Sequence, residues 1–419
     1  MKTTRLIFSA TLIIAFLIPL KGQSQKMYEF RGKDRNGVYF DQNLLKQWPE
    51  SGPEMVWEYV GVGLGYGSPV FTDDKMYIMG EKDSLAWLFA FDLTGKLLWK
   101  KDFGREWVKN YNGSRCAPTI AGDLIYVTSG MGNIYCFNRQ TGEKKWSVDM
   151  VNDLHGQFPL FGYSEAVAID GDKLFCTPGG RDTNVVALDR NTGKILWINK
   201  GHGERPGYNQ PRVIKLKKRN VLVTFTAYEM LGLDTKTGDL LWAHEQDNVP
   251  VAERKPGMGD THANTVFFED GFIYYVEGDG NAAVKLELAA DGSSIREIWR
   301  NKAFDSYMGG FIKMGDYLYG CTVAKPGFIC INAKTGETVK ELKIGSGAVI
   351  AADGLLYYYN FRGEVMLINP DPEAMDVISK FRITKGEKEH FAHPVIHDGK
   401  LYVRHGNYLQ AYNIRAAGK

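Results

Sequence analysis

The 419-residue chain has five cysteines, at positions 116, 136, 176, 321 and 330, and no two are adjacent or spaced as CxxC. That excludes rubredoxin-type metal sites, thioredoxin-type redox chemistry and c-type haem attachment. The odd count leaves at least one thiol without an intramolecular partner. Cys321 and Cys330 flank a turn-like stretch, and their spacing permits a disulfide across a hairpin without requiring one. The eight histidines never fall in an HxH or HExxH pattern, so no dedicated zinc site is expected. Charge is nearly balanced at +2, which provides no basic field for nucleic acid or an anionic membrane surface. The one basic cluster, Lys215 to Arg219, lies between two strand-like runs and reads as a solvated turn. No window shows a helical period.

Long apolar runs are also missing. The stretch from Leu6 to Leu20 has 15 residues and none comparable follows, whereas spanning a bilayer takes roughly 18 to 20. It follows Lys2 and Arg5, is closed by Pro19 and Lys21, and precedes the small residues Gly22 and Ser24. This is the pattern of a secretory signal peptide over residues 1–24, cleaved near Ser24. No cysteine near that point is available for acylation, so the mature protein is expected to be soluble, periplasmic or secreted, and not a lipoprotein.

What the chain has in abundance is a repeat. Val185-Val-Ala-Leu-Asp189 leads through Thr192-Gly193 to Trp197. The same design recurs as Asp92, Thr94-Gly95, Trp99; as Asn138, Thr141-Gly142, Trp146; and as Asp234, Thr237-Gly238, Trp242. The closing acid or amide recurs at 92, 138, 189, 234, 287, 332, 369 and 413. Each closes an apolar run preceded by a Tyr-rich run and a shorter one, with Gly-Asp, Asp-Gly or Asp-Asp turns between. Four antiparallel strands per repeat, at a period in the forties, predict an all-β, eight-bladed β-propeller over residues 55–419. The carboxylate or amide accepts the turn's N–H groups, Gly supplies positive φ, and Trp packs between blades. The last repeat lacks an outer strand, and Met55 to Val60, carrying Trp57, supplies it and closes the ring. Residues 25–54 are expected to lie across one face as an irregular lead-in.

These repeats resemble the pyrroloquinoline-quinone-like propeller superfamily, which includes quinoprotein alcohol dehydrogenases and an outer-membrane assembly factor. Phe30-Arg-Gly32, Trp48-Pro-Glu, Gly65-Tyr-Gly-Ser-Pro69 and Gly162-Tyr-Ser-Glu165 look like a branch of exported bacterial polyvinyl-alcohol-dehydrogenase-like propellers. The chain departs from the methanol-dehydrogenase type in lacking a vicinal cysteine pair, and from the assembly factor in lacking an acylated cysteine. Fold follows from such motifs; activity lives in the site.

The loops ahead of each first strand surround the channel mouth and are the default place for a ligand. They carry Tyr66, Arg115, Tyr163, Glu165, Tyr208, Asn209, His262, Asn264 and Tyr307, with Arg181 in a nearby loop. The tyrosines recur at comparable repeat positions, so a packing role repeated in each blade competes with a binding one. A buried Arg115–Glu165 pair is the corresponding structural reading for those two. Three functional readings stand open. In the first, a monomer binds a saccharide or a cell-envelope protein and nothing turns over. In the second, implied by the resemblance, Arg115 holds pyrroloquinoline quinone, Glu165 with Asn209 or Asn264 ligates Ca²⁺, and Asp260 is the base of an alcohol or sugar oxidoreductase. In the third, a polysaccharide lyase or hydrolase uses His262 with Tyr163 or Tyr208 as acid and base and Arg115 to offset a uronate charge. Across the readings the catalytic candidates are His262, Glu165 and Asp260. The first is the expectation. Gly61-Val-Gly-Leu-Gly65 is excluded as a nucleotide loop because no helix follows it.

Overall fold

A computed structural model describes residues 26–245, 253, 262–278 and 282–416. The residues read as a signal peptide, and Asp260, lie outside the described residues. Among the described residues no helix is long and apolar enough to cross a membrane.

Eight antiparallel sheets form the blades, spanning 70–105, 119–149, 168–199, 212–245, 267–301, 311–342, 347–382 and 395–413. Blade eight takes its outer strand, Met55–Val60, from the other end of the chain, with Tyr59 opposite Leu409 and Glu58 opposite Gln410. The propeller and its closure therefore form as the repeat predicts. In the turns, Asp92 Oδ1 accepts the Thr94 and Lys96 N–H groups at 2.9 and 3.0 Å, and Asp189 Oδ1 accepts those of Asn191 and Thr192 at 3.0 and 2.8 Å. The turn glycine also leaves room for a neighbouring blade's Trp. A Cβ on Gly95 (φ +89°) would stand 2.2 Å from Trp57 Nε1, so the first turn seats the tryptophan that closes the ring. Arg404, fully buried, adds a second clamp between blades eight and one, donating to the carbonyls of Gly63, Gly67, Met79 and Gly406 at 2.7–3.0 Å.

All five cysteines are buried and free. Cys321 pairs with Phe328 and Cys330 with Tyr319, so the hairpin register sets the two thiols two positions apart and does not bring them together.

The lead-in departs from expectation. Met27–Tyr28 adds a fifth, antiparallel strand to the inner edge of blade two, and Val38–Tyr39 adds a parallel one to the inner edge of blade seven. Inner strands run from the loop face to the face of the short turns, so the chain enters the channel from the turn face, reverses at 30–36 and leaves the same way. At the apex Arg35 donates to the Ala166 and Val167 carbonyls of blade three at 2.9 and 2.7 Å and pairs with Glu29 at 2.6 Å. Arg31 reaches the other side of the ring, donating to Val349 O, Phe311 O and His393 Nδ1 at 2.8, 2.9 and 2.7 Å. Buried arginines persist only with such partners, and here the partners are carbonyls at the loop-face ends of the inner strands: Ala166 and Val167 just before that of blade three, Phe311 and Val349 within those of blades six and seven. Residues beyond the hairpin then cross the turn face. Leu44 and Trp48 pack between blades seven and eight, with Trp48 edge-on to Phe381 at 4.9 Å.

Candidate functional site

With its turn side plugged, the propeller offers its loop face. A chain of ring contacts runs across it: Phe361–Phe391 4.9 Å, Tyr66–Phe391 5.6 Å, Tyr111–Phe391 6.1 Å, Tyr111–Phe161 5.8 Å and Phe161–Tyr208 5.9 Å. The rings come from loops of blades seven, eight, one, two, three and four in succession. Beside them Val108, Tyr111, Phe158 and Leu160 are 45, 50, 36 and 48% exposed, an apolar patch that a free surface seldom presents.

Four of the residues singled out from sequence hold this arc in place. Arg115 donates to Asn110 O, Tyr111 O and Gly113 O at 2.7, 2.6 and 3.1 Å, which fixes the loop that presents Tyr111; burial lowers its pKa. Tyr66 donates to Glu389 at 2.6 Å, tying down the segment that carries Phe391. The Tyr208 hydroxyl accepts the Phe161 N–H at 3.1 Å, and the buried Tyr163 hydroxyl donates to the Gln157 and Pro178 carbonyls at 2.9 Å, which anchors both ends of the 157–161 loop. Glu106 does similar work, accepting from Trp107 N at 2.8 Å, Ser114 Oγ at 2.7 Å and Gly130 N, while burial raises its pKa.

The remaining candidates are spread through the wall beneath. Glu165 Oε1 accepts the Thr177 N–H at 3.1 Å, and burial pushes its pKa up to about 7. Arg115 spends its donors on its own loop, so the two do not form the buried pair that sequence allowed. Asn209 Oδ1 accepts the Phe225 N–H at 3.2 Å. Asn264 donates to Val276 O at 2.8 Å and Ser306 O at 2.5 Å and accepts from Gly310 N at 2.8 Å. His262 is fully buried, with Nε2 donating to Ala227 O at 3.0 Å and Nδ1 lying 3.4 Å from Glu277, whose carboxyl burial pushes well up. Tyr307 is half-buried against Gly278, and Arg181 is exposed.

A quinone with Ca²⁺ does not fit this donor set. The Asn209 and Asn264 amide oxygens and Glu165 Oε1 each accept a backbone N–H in a different part of the wall, and the arginine proposed for the quinone acids is engaged by backbone carbonyls. Beside the plug, the crevice lined by Phe30, Arg31, Asn264 and His393 has space for at most about one water molecule. Among the described residues no three His, Cys, Asp or Glu side chains stand together as metal ligands. Sequence reasoning missed Tyr111, Phe158, Phe161, Phe361 and Phe391. The available signal is an aromatic residue shortly before a first strand, which covers Tyr111, Phe158, Phe161 and Phe391; Phe361 instead sits in the turn between the second and third strands of blade seven.

Similarity to known proteins divides between binding and redox propellers. The chain is 29% identical over 221 residues to 1-butanol dehydrogenase (quinone) of Thauera butanivorans, covering 49% of this chain and 33% of that one. It is 25% identical over 181 residues to outer membrane protein assembly factor BamB of Shewanella oneidensis, covering 41% of each. The chain thus spans about a third of the dehydrogenase's length and well under half of the assembly factor's. The structure of BamB from Moraxella catarrhalis superposes with a TM-score of 0.61 at 14% identity, over 86% of this chain and 99% of that one, a likeness of fold. The family model described as outer membrane protein assembly factor BamB matches residues 84–342, more than half of the sequence, and the chain belongs to that family.

Proposed function

We propose that the protein is an exported docking propeller that binds a cell-envelope protein on its loop face and catalyses nothing. The carrying observation is the aromatic arc, with half-exposed apolar side chains presented by loops that buried polar anchors hold rigid. Such a surface suits a protein partner better than a saccharide. Sugar sites need convergent free hydrogen-bonding groups, whereas Arg115, Glu165, Asn209 and Asn264 are committed to backbone. Export is supported by the apolar run at Leu6 to Leu20 with its basic flank.

The test is a photo-reactive residue at Tyr111, cross-linking in the cell envelope, identification of the captured protein and reconstitution with that purified partner. Tyr111→Ala combined with Phe391→Ala is expected to weaken the reconstituted complex at least tenfold, since aromatic anchors each contribute about 2 kcal/mol. Micromolar binding of pyrroloquinoline quinone with Ca²⁺, or of an envelope glycan, that the same two substitutions abolish would overturn the proposal.

A further inference from the structure

The outer edge of each blade is a row of unpaired backbone groups, a template for another strand unless charges or bulges blunt it. Seven of the eight outer strands carry charge: Glu58; Lys100 and Lys101; Lys144 and Lys145; Glu245; Arg296 and Glu297; Lys340 and Glu341; Lys380 and Arg382. The eighth, Ile195–Asn199 of blade three, reads Ile-Leu-Trp-Ile-Asn and carries none. Three of its side chains are open, Ile195 at 49%, Leu196 at 47% and Ile198 at 45% exposure, comparable to Met55, Val56 and Val60 on the Glu58-bearing outer strand of blade eight, so the lack of charge is what sets this edge apart; Trp197 turns in against the Gly238 turn of blade four. A register shift in the outer-strand pairing occurs in all eight blades, so bulges do not distinguish the edges; in blade three it falls between Ala187 and Leu188 and brings Ile195 and Leu196 both outward. Exposed Lys194 and Lys200 bracket the strand.

We propose that this edge is a second interaction site, separate from the loop face, which takes an extended apolar segment of a protein partner as a fifth strand of blade three, with carboxylates at the segment's two ends meeting Lys194 and Lys200. Main-chain hydrogen bonds supply affinity in such strand addition and alternate side chains supply selectivity. Size argues against a second copy of this chain as the occupant. Five residues give an edge of about 17 Å, which buries far less than the roughly 800 Å² per partner that a stable dimer needs.

The probe is the fluorescein-labelled peptide Glu-Val-Thr-Val-Thr-Val-Glu, titrated by anisotropy against the full propeller, with its Lys-ended counterpart as control. The Glu-ended peptide is expected to bind at least fivefold tighter than the Lys-ended one, and to slow hydrogen exchange within 195–199. Ile198→Lys is expected to weaken it at least tenfold, and the milder Ile198→Thr severalfold with an unchanged melting temperature, while Tyr111→Ala leaves it unchanged. Equal affinity for both peptides, no binding at millimolar protein, or insensitivity to both Ile198 variants would overturn the proposal. So would a concentration-dependent dimer that Ile198→Lys dissolves, because the edge would then belong to a second copy.

Discussion

Arg31→Met tests the channel plug most directly. The guanidinium makes three hydrogen bonds, to Val349 O, Phe311 O and His393 Nδ1, and bonds from a charged donor contribute about 1.5–3 kcal/mol each. Burial opposes them by pressing the pKa down from 12.5 to about 10, a cost of about 3.5 kcal/mol at ~1.4 kcal/mol per unit. The balance favours the native arginine by roughly 1–5 kcal/mol, centred near 3. Methionine fills similar volume but leaves two buried carbonyls unpaired. An unfolding entropy of about 2.1 cal/mol/K per residue gives roughly 0.8 kcal/mol/K for a ring of this size, so the variant should melt ~4 °C lower. Differential scanning calorimetry reads that shift, and hydrogen exchange over 27–39 should rise while exchange in the blade-four strand Asn220–Phe225 stays slow. Lys26→Met, an exposed ion pair with Asp73, is the control and should change little. If Arg31→Met melts within about 1 °C of wild type and residues 27–39 remain equally protected, the hairpin is not held by these bonds and the plug argument fails.

Acid should loosen the same junction. His393 accepts from Arg31 through Nδ1 and donates to Met308 O through Nε2, and burial with the adjacent arginine lowers its pKa to about 3. Below the unfolded value near 6.5 the unfolded chain binds a proton that the folded one refuses, so stability should fall by about 1.4 kcal/mol per pH unit from pH 6.5 toward 3. Chemical denaturation at stepped pH should show this slope, and His393→Gln should remove its share, leaving that of His390, whose pKa burial lowers to about 4. Arg404→Met removes four buried donations to carbonyls, for an expected loss of about 4 kcal/mol in urea unfolding; a loss under 1 kcal/mol would contradict the clamp. Gly95→Ala meets Trp57 at 2.2 Å whereas Gly171→Ala, also at positive φ, meets nothing within 4 Å. The first should therefore cost several kcal/mol and the second about 1, compared by thermal melts.

The sequence by itself determined the propeller. Asp or Asn, Thr-Gly and Trp at fixed offsets are local chemistry, because the turn's N–H groups find their acceptor within four residues and the Gly at 95, 142 or 193 can take no other role at positive φ. Repetition of that unit set the blade count, and the missing last strand pointed to Trp57. The site was legible in position but not in role. Arg115, Tyr66, Tyr163 and Tyr208 do sit in the loops around the mouth, yet whether a polar side chain faces a ligand or its own backbone depends on carbonyls brought near it from another loop, which no spacing encodes. The plug was illegible for the same reason. Arg31 and Arg35 look like ordinary surface arginines in a polar stretch, and only ring closure gathers around them the carbonyls of blades three, six and seven that accept their bonds. Tertiary structure likewise decided which edge is unguarded, since an Ile-Leu-Trp-Ile run reads as core until the sheet order places it outermost.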